Sequence, residues 1–155
     1  MNIQNLKEIR DKYRPIIESR QDSRPLEKGD QRTIHIMICR GSGCIASAGD
    51  TSPYDAFANA IEQYDLKEKV ELVRTGCHGL CEKGPIVVIQ PGATLYTHVQ
   101  ASDVGEIVQE HIINKEFVER LLFYDSVKQK HISSINDIDF YTKQTRRILS
   151  NNGLI

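Results

Sequence analysis

Apolar residues along the central part of the chain, from about residue 33 to 113, fall into short runs separated by polar loops. Four runs are typical of β-strands, at residues 33–38, 70–74, 86–89 and 94–99. The first run is almost entirely apolar, which indicates a strand buried on both faces of a sheet. The last two runs flank a short turn over residues 90–93 and predict a β-hairpin.

Two stretches show helical spacing of their apolar residues. Between the first two strands, Ser52 can cap a helix, Pro53 suits its first position and Asp55 completes a pattern like a capping box. The apolar face of this helix comprises Tyr54, Phe57, Ile61 and Tyr64. A final helix with Ser102 as its predicted cap has apolar or aromatic residues at helical spacing, namely Val104, Ile107, Val108, His111 and Ile112.

The order β-α-β-β-β-α predicts an α/β domain of thioredoxin-like outline with a four-stranded mixed sheet. Its first two strands should be parallel, because a helix separates them. A right-handed crossover then places the ends of both strands at one edge of the sheet. Loops at the carboxyl ends of parallel strands are the usual place for a site in α/β folds.

The flanking segments predict three regions. Residues 1–32 comprise a helix over 2–20, kinked or restarted near Pro15, and a polar linker over 21–32. Residues 33–113 form the thioredoxin-like domain. Residues 114–155 are too few for a domain of their own and predict an irregular C-terminal extension.

Charge and composition exclude some classes of protein. The 155 residues include 20 basic and 21 acidic side chains, a formal net charge of −1. This balance argues against a nucleic-acid-binding protein, which normally has a basic excess. The sequence contains neither an apolar stretch long enough to enter a bilayer nor the apolar core of a secretory signal. We therefore expect a cytoplasmic protein whose thiols stay reduced.

All four cysteines of the chain occur in two pairs. Cys39 and Cys44 follow the first strand with the spacing C-x4-C, and Cys77 and Cys81 follow the second strand with the spacing C-x3-C. Because both loops are predicted at the same sheet edge, the four side chains predict one four-thiolate site.

Four thiolates suit an iron–sulfur cluster or a tetrahedral zinc ion. The wide spacings favour the cluster, and so do the glycines of both loops, which let backbone N–H groups approach inorganic sulfide. These glycines are Gly41, Gly43, Gly76, Gly79 and Gly84. Zinc remains an alternative, as do thiol–disulfide chemistry and buried structural thiols. A thiol–disulfide oxidoreductase typically carries C-x-x-C, which neither pair has.

Other residues near the cysteines allow weaker predictions. With four thiolates available, we expect His78 to lie behind the ligands or to face solvent. Arg40, Arg74 and Lys83 are either ordinary surface charge or groups that raise a cluster's potential or meet an acidic partner. Pro85 stands where thioredoxin-like folds often have a cis-proline. The remaining histidines are scattered and predicted to be structural or exposed, namely His35, His98, His111 and His131.

The residues around the cysteines carry a family resemblance. The run at 74–85 (RTGCHGLCEKGP), with CRGSGC at 39–44 upstream, resembles the thioredoxin-like [2Fe–2S] ferredoxin family. More closely, residues 33–155 are similar to the N-terminal region of the flavin-containing subunit of NAD(P)-linked, electron-bifurcating hydrogenases. That subunit is related to the NADH-oxidising flavoprotein subunit of respiratory complex I. The segments at 118–122 and 140–144 also fit this resemblance.

The resemblance implies one [2Fe–2S] cluster with four cysteine ligands, namely Cys39, Cys44, Cys77 and Cys81. It implies a one-electron carrier that exchanges electrons with a flavin/NAD(P)H site or with other clusters. The partners would be other subunits of a multi-subunit oxidoreductase, including a flavin-binding domain. FMN and NAD(P) would bind only in the part of such a subunit that this sequence lacks, so we expect the chain not to be catalytic by itself. A zinc-stabilised interaction module and a thiol–disulfide oxidoreductase are the alternative functions.

Overall fold

A four-stranded mixed sheet forms the centre of the protein, whose computed structural model describes residues 3–147 and 151–154. The strands are β1 (Ile34–Cys39), β2 (Val70–Thr75), β3 (Val87–Gln90) and β4 (Thr94–Tyr96), in the spatial order β2-β1-β3-β4. β1 and β2 are parallel, and the pairs β1–β3 and β3–β4 are antiparallel. All six residues of β1 are buried, as its apolar sequence predicts. The predicted sheet is therefore confirmed.

Helices cover one face of the sheet. The crossover from β1 to β2 contains α2 (Ser42–Ala46) and α3 (Pro53–Gln63). The hydroxyl of Ser52 caps α3 by accepting a hydrogen bond from the Tyr54 N–H at 3.2 Å. The last helix starts with α4 (Val104–Ile107) and continues in wider, π-helical turns over Val108–Asn114. Phe57, Ile61 and Ile107 pack with the sheet residues Ile36 and Val87 into the larger apolar core.

Two local predictions were wrong. The loop expected after β1 contains the short helix α2, which begins at Ser42 after the N-cap residue Gly41 and carries Cys44. Ser102 does not cap the last helix, because the helical turn begins at Ala101 and its cap is Gln100, two residues before Ser102. There the Gln100 N–H donates to the Asp103 carboxylate at 2.8 Å, and the Gln100 side chain accepts in return.

The C-terminal extension covers the opposite face of the sheet and is more regular than predicted. It contains the hairpin β5 (Phe123–Asp125) and β6 (Lys130–Ile132) and the helical turn α5 (Asp139–Thr142). Ile132 and Ile138 pack against Met37, Val88 and Leu95 in a second apolar core. Residues 148–150 and 155 of this predicted region lie outside the described residues. The sheet is thus enclosed by helices on one side and by the extension on the other.

The N-terminal helix α1 (Ile3–Ser19) lies at the periphery of the molecule. It is one continuous helix that contains Pro15, so the predicted restart there was wrong; residue 2 of the predicted helix lies outside the described residues. None of its residues is buried. The chain joins the domain just beyond, where Arg20 contacts the Glu71 carboxylate at 3.0 Å. Among the described helices, none has the length and apolar character needed to cross a bilayer.

Candidate metal centre

The four cysteines meet at one edge of the sheet, where β1 and β2 end. Cys39 is the last residue of β1 and lies in register with Thr75, the last residue of β2. Cys44 lies in α2, and Cys81 begins a turn of 3-10 helix at Cys81–Lys83. The parallel crossover therefore brings together side chains that are up to 42 positions apart in the sequence, as predicted.

The sulfurs of the two loops lie close together. The Cys77 and Cys81 Sγ atoms are 3.8 Å apart. A Cβ atom on Gly84 would lie 2.8 Å from the Cys44 sulfur and 3.3 Å from the Cys81 carbonyl oxygen, so Cys44 lies beside the second loop. All four residues are free thiols. In the described part of the chain, no three His, Cys, Asp or Glu side chains are grouped as they would be around a single metal ion.

Burial differs between the two pairs. Cys39 and Cys44 are 3% and 2% exposed, whereas Cys77 is half-buried and Cys81 is exposed. One side of the site is therefore enclosed by protein, and the other side reaches the surface.

The protonation behaviour of the thiols does not suit a nucleophile. Burial raises the pKa of the Cys44 thiol to about 12. The hydrogen bond with the Cys77 thiol raises the pKa of Cys81. A reactive cysteine needs the opposite, a lowered pKa that supplies thiolate at neutral pH. These thiols would lose their protons on binding a metal, which replaces the proton with a stronger positive charge.

The two cysteine loops pack closely around Gly41 and Gly43. A Cβ atom on Gly41 would lie 3.1 Å from the Cys77 sulfur and 3.5 Å from the Cys39 sulfur. A Cβ atom on Gly43 would lie 3.0 Å from the Cys81 Cβ. A side chain at either position would press on the cysteines of the other loop. The predicted role of the glycines, to let backbone N–H groups approach inorganic sulfide, stays a prediction. The four thiols and their surroundings fit an iron–sulfur cluster.

His78 lies between Cys77 and Cys81 in sequence but points away from solvent. Its ring is 4% exposed, and its Nε2 lies 3.2 Å from the Thr75 hydroxyl. Burial, with a smaller contribution from Arg146, lowers the pKa of His78 to about 4. Of the two predicted placements, the solvent-facing one was therefore wrong. His78 is a neutral, buried group behind the Cys77–Cys81 loop.

The charged residues near the cysteines either contact a neighbouring side chain or are exposed to solvent. Arg40 is exposed, and the Arg74 guanidinium lies 4.0 Å from the centre of the Tyr54 ring. Lys83 Nζ lies 3.3 Å from the carboxylate of Glu82. These contacts are those of surface residues.

The structure places the other predicted residues as follows. The Gly84–Pro85 peptide bond is cis. His35 is buried with its Nδ1 2.7 Å from the Glu71 carboxylate, and His111 is buried against Tyr96. His98 and His131 are exposed. The four histidines are therefore structural or exposed, as predicted.

The sequence analysis missed the contacts that the C-terminal extension makes with the site. The Tyr141 hydroxyl donates a hydrogen bond to the His78 carbonyl at 3.0 Å, and the Asn152 side chain donates one to the Cys77 carbonyl. Burial raises the pKa of Tyr141 to about 12, which keeps this hydroxyl protonated. Neither periodicity nor spacing indicates these contacts; only the family resemblance at 140–144 pointed to this segment.

Comparison with known proteins agrees with this site. Residues 26–111 match the family model described as "Thioredoxin-like [2Fe-2S] ferredoxin". A curated relative, "Ferredoxin, 2Fe-2S" of Clostridium pasteurianum, is 37% identical over 94 residues, which cover 56% of this chain and 92% of that protein. "Ferredoxin, 2Fe-2S" of Aquifex aeolicus is 32% identical over 96 residues, covering 57% and 86%.

The fold comparison gives the same result. The solved structure of a thioredoxin-like [2Fe–2S] ferredoxin from Aquifex aeolicus superposes with a TM-score of 0.53 at 31% sequence identity. The match covers 57% of this chain and 88% of that one. The predicted thioredoxin-like α/β fold is confirmed, and the chain belongs to the thioredoxin-like [2Fe–2S] ferredoxin family.

Proposed function

We propose that this chain binds one [2Fe–2S] cluster through Cys39, Cys44, Cys77 and Cys81 and transfers single electrons. Membership of the thioredoxin-like [2Fe–2S] ferredoxin family supports the general part of this proposal, that the chain is a [2Fe–2S] electron carrier. The observation that carries the assignment of ligands is the convergence of four free thiols from two loops at one sheet edge.

The pairing of the thiols supports a two-iron cluster over a single ion. A [2Fe–2S] cluster is held by four thiolates, two on each iron, whereas structural zinc sites arrange four ligands around one ion. The two loops supply the thiols in two pairs, Cys39 with Cys44 and Cys77 with Cys81, and the Cys77 and Cys81 sulfurs are 3.8 Å apart. When bound, the cluster takes up and releases one electron.

The chain's own residues would hold this group and set its environment. The four thiolates bind it, and the Gly79 N–H donates to the Cys77 sulfur at 3.3 Å. The buried pair keeps water from one side, while the exposed Cys81 leaves the other side open to a partner. Electrons would therefore pass at the surface formed by the Cys77–Cys81 loop, because electron transfer is fastest over the shortest distance.

We further propose that the partner is a flavin/NAD(P)H site or another cluster within a multi-subunit oxidoreductase, such as a hydrogenase, in the cytoplasm. The similarity of residues 33–155 to the N-terminal region of the flavin-containing hydrogenase subunit supports this assignment. FMN and NAD(P) would belong to that neighbouring part. No contact with nucleic acid or insertion into a membrane is proposed.

The visible spectrum of anaerobically purified protein tests the cluster, together with iron, zinc and sulfide analysis. We expect a red-brown protein with about two irons and two sulfides per chain, and an electron paramagnetic resonance signal after reduction. Chemical reconstitution with iron and sulfide precedes the measurement if the cluster has been lost. A zinc-loaded, colourless protein that takes up no cluster would contradict the proposal and favour the zinc module.

Single Cys→Ser variants test the ligands. Each of the four should lower the iron and sulfide content or change the spectrum, since serine replaces a thiolate of the cluster. Ser42→Ala is the matched control, because Ser42 is exposed at the start of α2, between Cys39 and Cys44 in the sequence. It should keep the full iron content. A cysteine whose replacement leaves content, spectrum and potential unchanged is not a ligand.

A further inference from the structure

The C-terminal extension contacts the backbone of the Cys77–Cys81 loop. Two side chains of the extension, Tyr141 and Asn152, donate hydrogen bonds to consecutive carbonyl groups of this loop. The family match ends at residue 111, so both side chains lie outside the matched region. These contacts affect the site because the carbonyl group of one residue and the N–H group of the next belong to one rigid peptide unit.

Tyr141 acts on the peptide unit that also contacts a thiol. The His78 carbonyl, which accepts from Tyr141 at 3.0 Å, and the Gly79 N–H belong to one peptide unit. A peptide unit is planar, and in the trans form its C=O and N–H point in opposite directions. The Gly79 N–H points to the Cys77 sulfur, with 3.3 Å between N and Sγ. The hydrogen bond from Tyr141 to the His78 carbonyl therefore fixes the Gly79 N–H in its direction towards the Cys77 sulfur.

Asn152 holds the preceding peptide unit, between Cys77 and His78. Its side-chain amide donates to the Cys77 carbonyl, which shares a peptide unit with the His78 N–H. Two further residues of the extension lie beside the loop. A Cβ atom on Gly79 would lie 3.5 Å from the Phe140 ring, and a Cβ atom on Gly153 would lie 2.7 Å from the His78 ring.

The backbone conformation of Gly79 explains why the direction of its N–H depends on these contacts. Its φ of +88° is a conformation that favours glycine, so the loop turns sharply at the residue whose N–H faces the sulfur. Such a turn has few internal constraints, because glycine is conformationally permissive. An external anchor at the His78 carbonyl therefore determines the direction of the Gly79 N–H.

A hydrogen bond to a ligand sulfur affects the energy of reduction. Reduction adds one negative charge, part of which lies on the thiolate sulfurs, and an N–H donor stabilises that charge. Hydrogen bonds to the sulfurs are among the factors that set the reduction potential of iron–sulfur clusters. We propose that Tyr141 and Asn152 are positioning residues that raise the reduction potential of the cluster, Tyr141 by orienting the His78–Gly79 peptide and Asn152 by holding the adjoining Cys77–His78 peptide. This inference rests on the proposed function.

Tyr141→Phe tests the inference, because it removes one hydroxyl and keeps the ring. The measurements are the midpoint potential from a spectroscopically monitored redox titration and the Fe–S(Cys) stretching frequencies from resonance Raman spectroscopy. At a fixed potential, the ratio of reduced to oxidised cluster should fall threefold to tenfold, where tenfold corresponds to 59 mV for a one-electron couple. The Fe–S(Cys) frequency should rise as the hydrogen bond weakens.

Tyr124→Phe is the matched control. Tyr124 lies in the same extension, is 50% exposed, and packs its ring against His131. Its variant should keep the potential and the Raman frequencies of the unaltered chain. A Tyr141→Phe protein with an intact cluster and an unchanged potential would overturn the inference, even if its melting temperature fell.

Asn152→Leu provides a second variant of similar volume in case Tyr141→Phe loses its cluster. It should also lower the potential, and an unchanged potential in this variant would then overturn the inference. Failure of the unaltered chain to bind any cluster is a different result, because it contradicts the proposed function and not the role of these residues.

Discussion

Gly84 lies so close to Cys44 that a Cβ atom on Gly84 would stand 2.8 Å from the Cys44 sulfur. The same atom would lie 3.2 Å from the Cys44 Cα and 3.3 Å from the Cys81 carbonyl oxygen. These neighbours include backbone atoms, which cannot move aside as the end of a flexible side chain can. Gly84 therefore keeps the two cysteine loops in contact, and its φ of −72° shows that space, not backbone conformation, is what requires glycine.

We predict that Gly84→Ala weakens both folding and cluster binding. The added methyl group must push the second loop away from Cys44, and overpacking of this kind costs about 1–3 kcal/mol. Because the loops carry different pairs of thiols, their separation should also lower the iron content. Thermal unfolding and iron analysis of the purified variant measure the two effects.

Gly105→Ala is the control for this prediction. Gly105 lies in α4, and a Cβ atom there would have nothing within 4 Å. Alanine is favoured over glycine in helices by about 1 kcal/mol, so this variant should be as stable as the unaltered chain or more so. If the two variants have equal melting temperatures and equal iron contents, the loops are not in contact near Gly84.

The central sheet and the meeting of the cysteines could be predicted because both depend on local patterns. The apolar run of β1 and the helical spacing of α3 are visible in the sequence, and a right-handed crossover then brings Cys39 and Cys77 to one edge. The family resemblance added the identity of the bound group, which spacing alone left open between iron–sulfur and zinc.

The contacts of the C-terminal extension could not be predicted in this way. Tyr141 and Asn152 reach the loop from more than 60 positions away. Their contacts depend on how the hairpin β5–β6 and Ile138 dock on the sheet, a long-range packing that no periodic pattern encodes. The short helix at Ser42–Ala46 was missed for a related reason, because its small residues and glycines are typical of a loop.

The buried His111 predicts a loss of stability in acid. Its Nδ1 lies 2.7 Å from the Tyr96 hydroxyl, which also accepts a hydrogen bond from the Val118 N–H at 3.2 Å. Burial lowers the pKa of His111 to about 4 from the usual histidine pKa of 6.5. Between these pH values the unfolded chain binds more protons than the folded one. Stability should therefore be complete above about pH 6.5 and fall as the pH drops towards 4, by up to about 1.4 kcal/mol per pH unit.

Urea unfolding at pH 7 and pH 5 tests the contribution of His111. Burial also lowers the pKa of His35 and His78, so the unaltered chain should lose more stability than His111 alone explains. Between pH 7 and pH 5, His111→Gln should lose less free energy of unfolding than the unaltered chain does. His98→Asn removes an exposed imidazole at φ +54°, where asparagine is tolerated, and should leave the loss unchanged. An equal pH dependence in all three proteins would exclude His111 as its source.

The exposed position of α1 predicts that the rest of the domain folds without it. Its apolar side chains at Leu6, Ile9 and Tyr13 are 48–50% exposed, and none of its residues is buried. A chain that begins at Ser19 should keep its iron content and change its free energy of unfolding by less than about 1 kcal/mol, as surface changes usually do. Chemical denaturation of both chains measures this. A larger loss would show that α1 packs on the domain in solution.

The second apolar core predicts that the C-terminal extension is an integral part of the fold. Ile138 is 1% exposed and packs with Met37 and Val88, so Ile138→Ala leaves a cavity between the extension and the sheet. Truncations of this kind cost about 2–5 kcal/mol. Val127→Ala is the control, because Val127 is 90% exposed in the same extension and should change stability by less than about 0.5 kcal/mol. If both variants unfold at the same urea concentration as the unaltered chain, the extension does not cover the sheet. If only Ile138→Ala is destabilised, the docking that places Tyr141 and Asn152 behind the cysteine loop holds in solution.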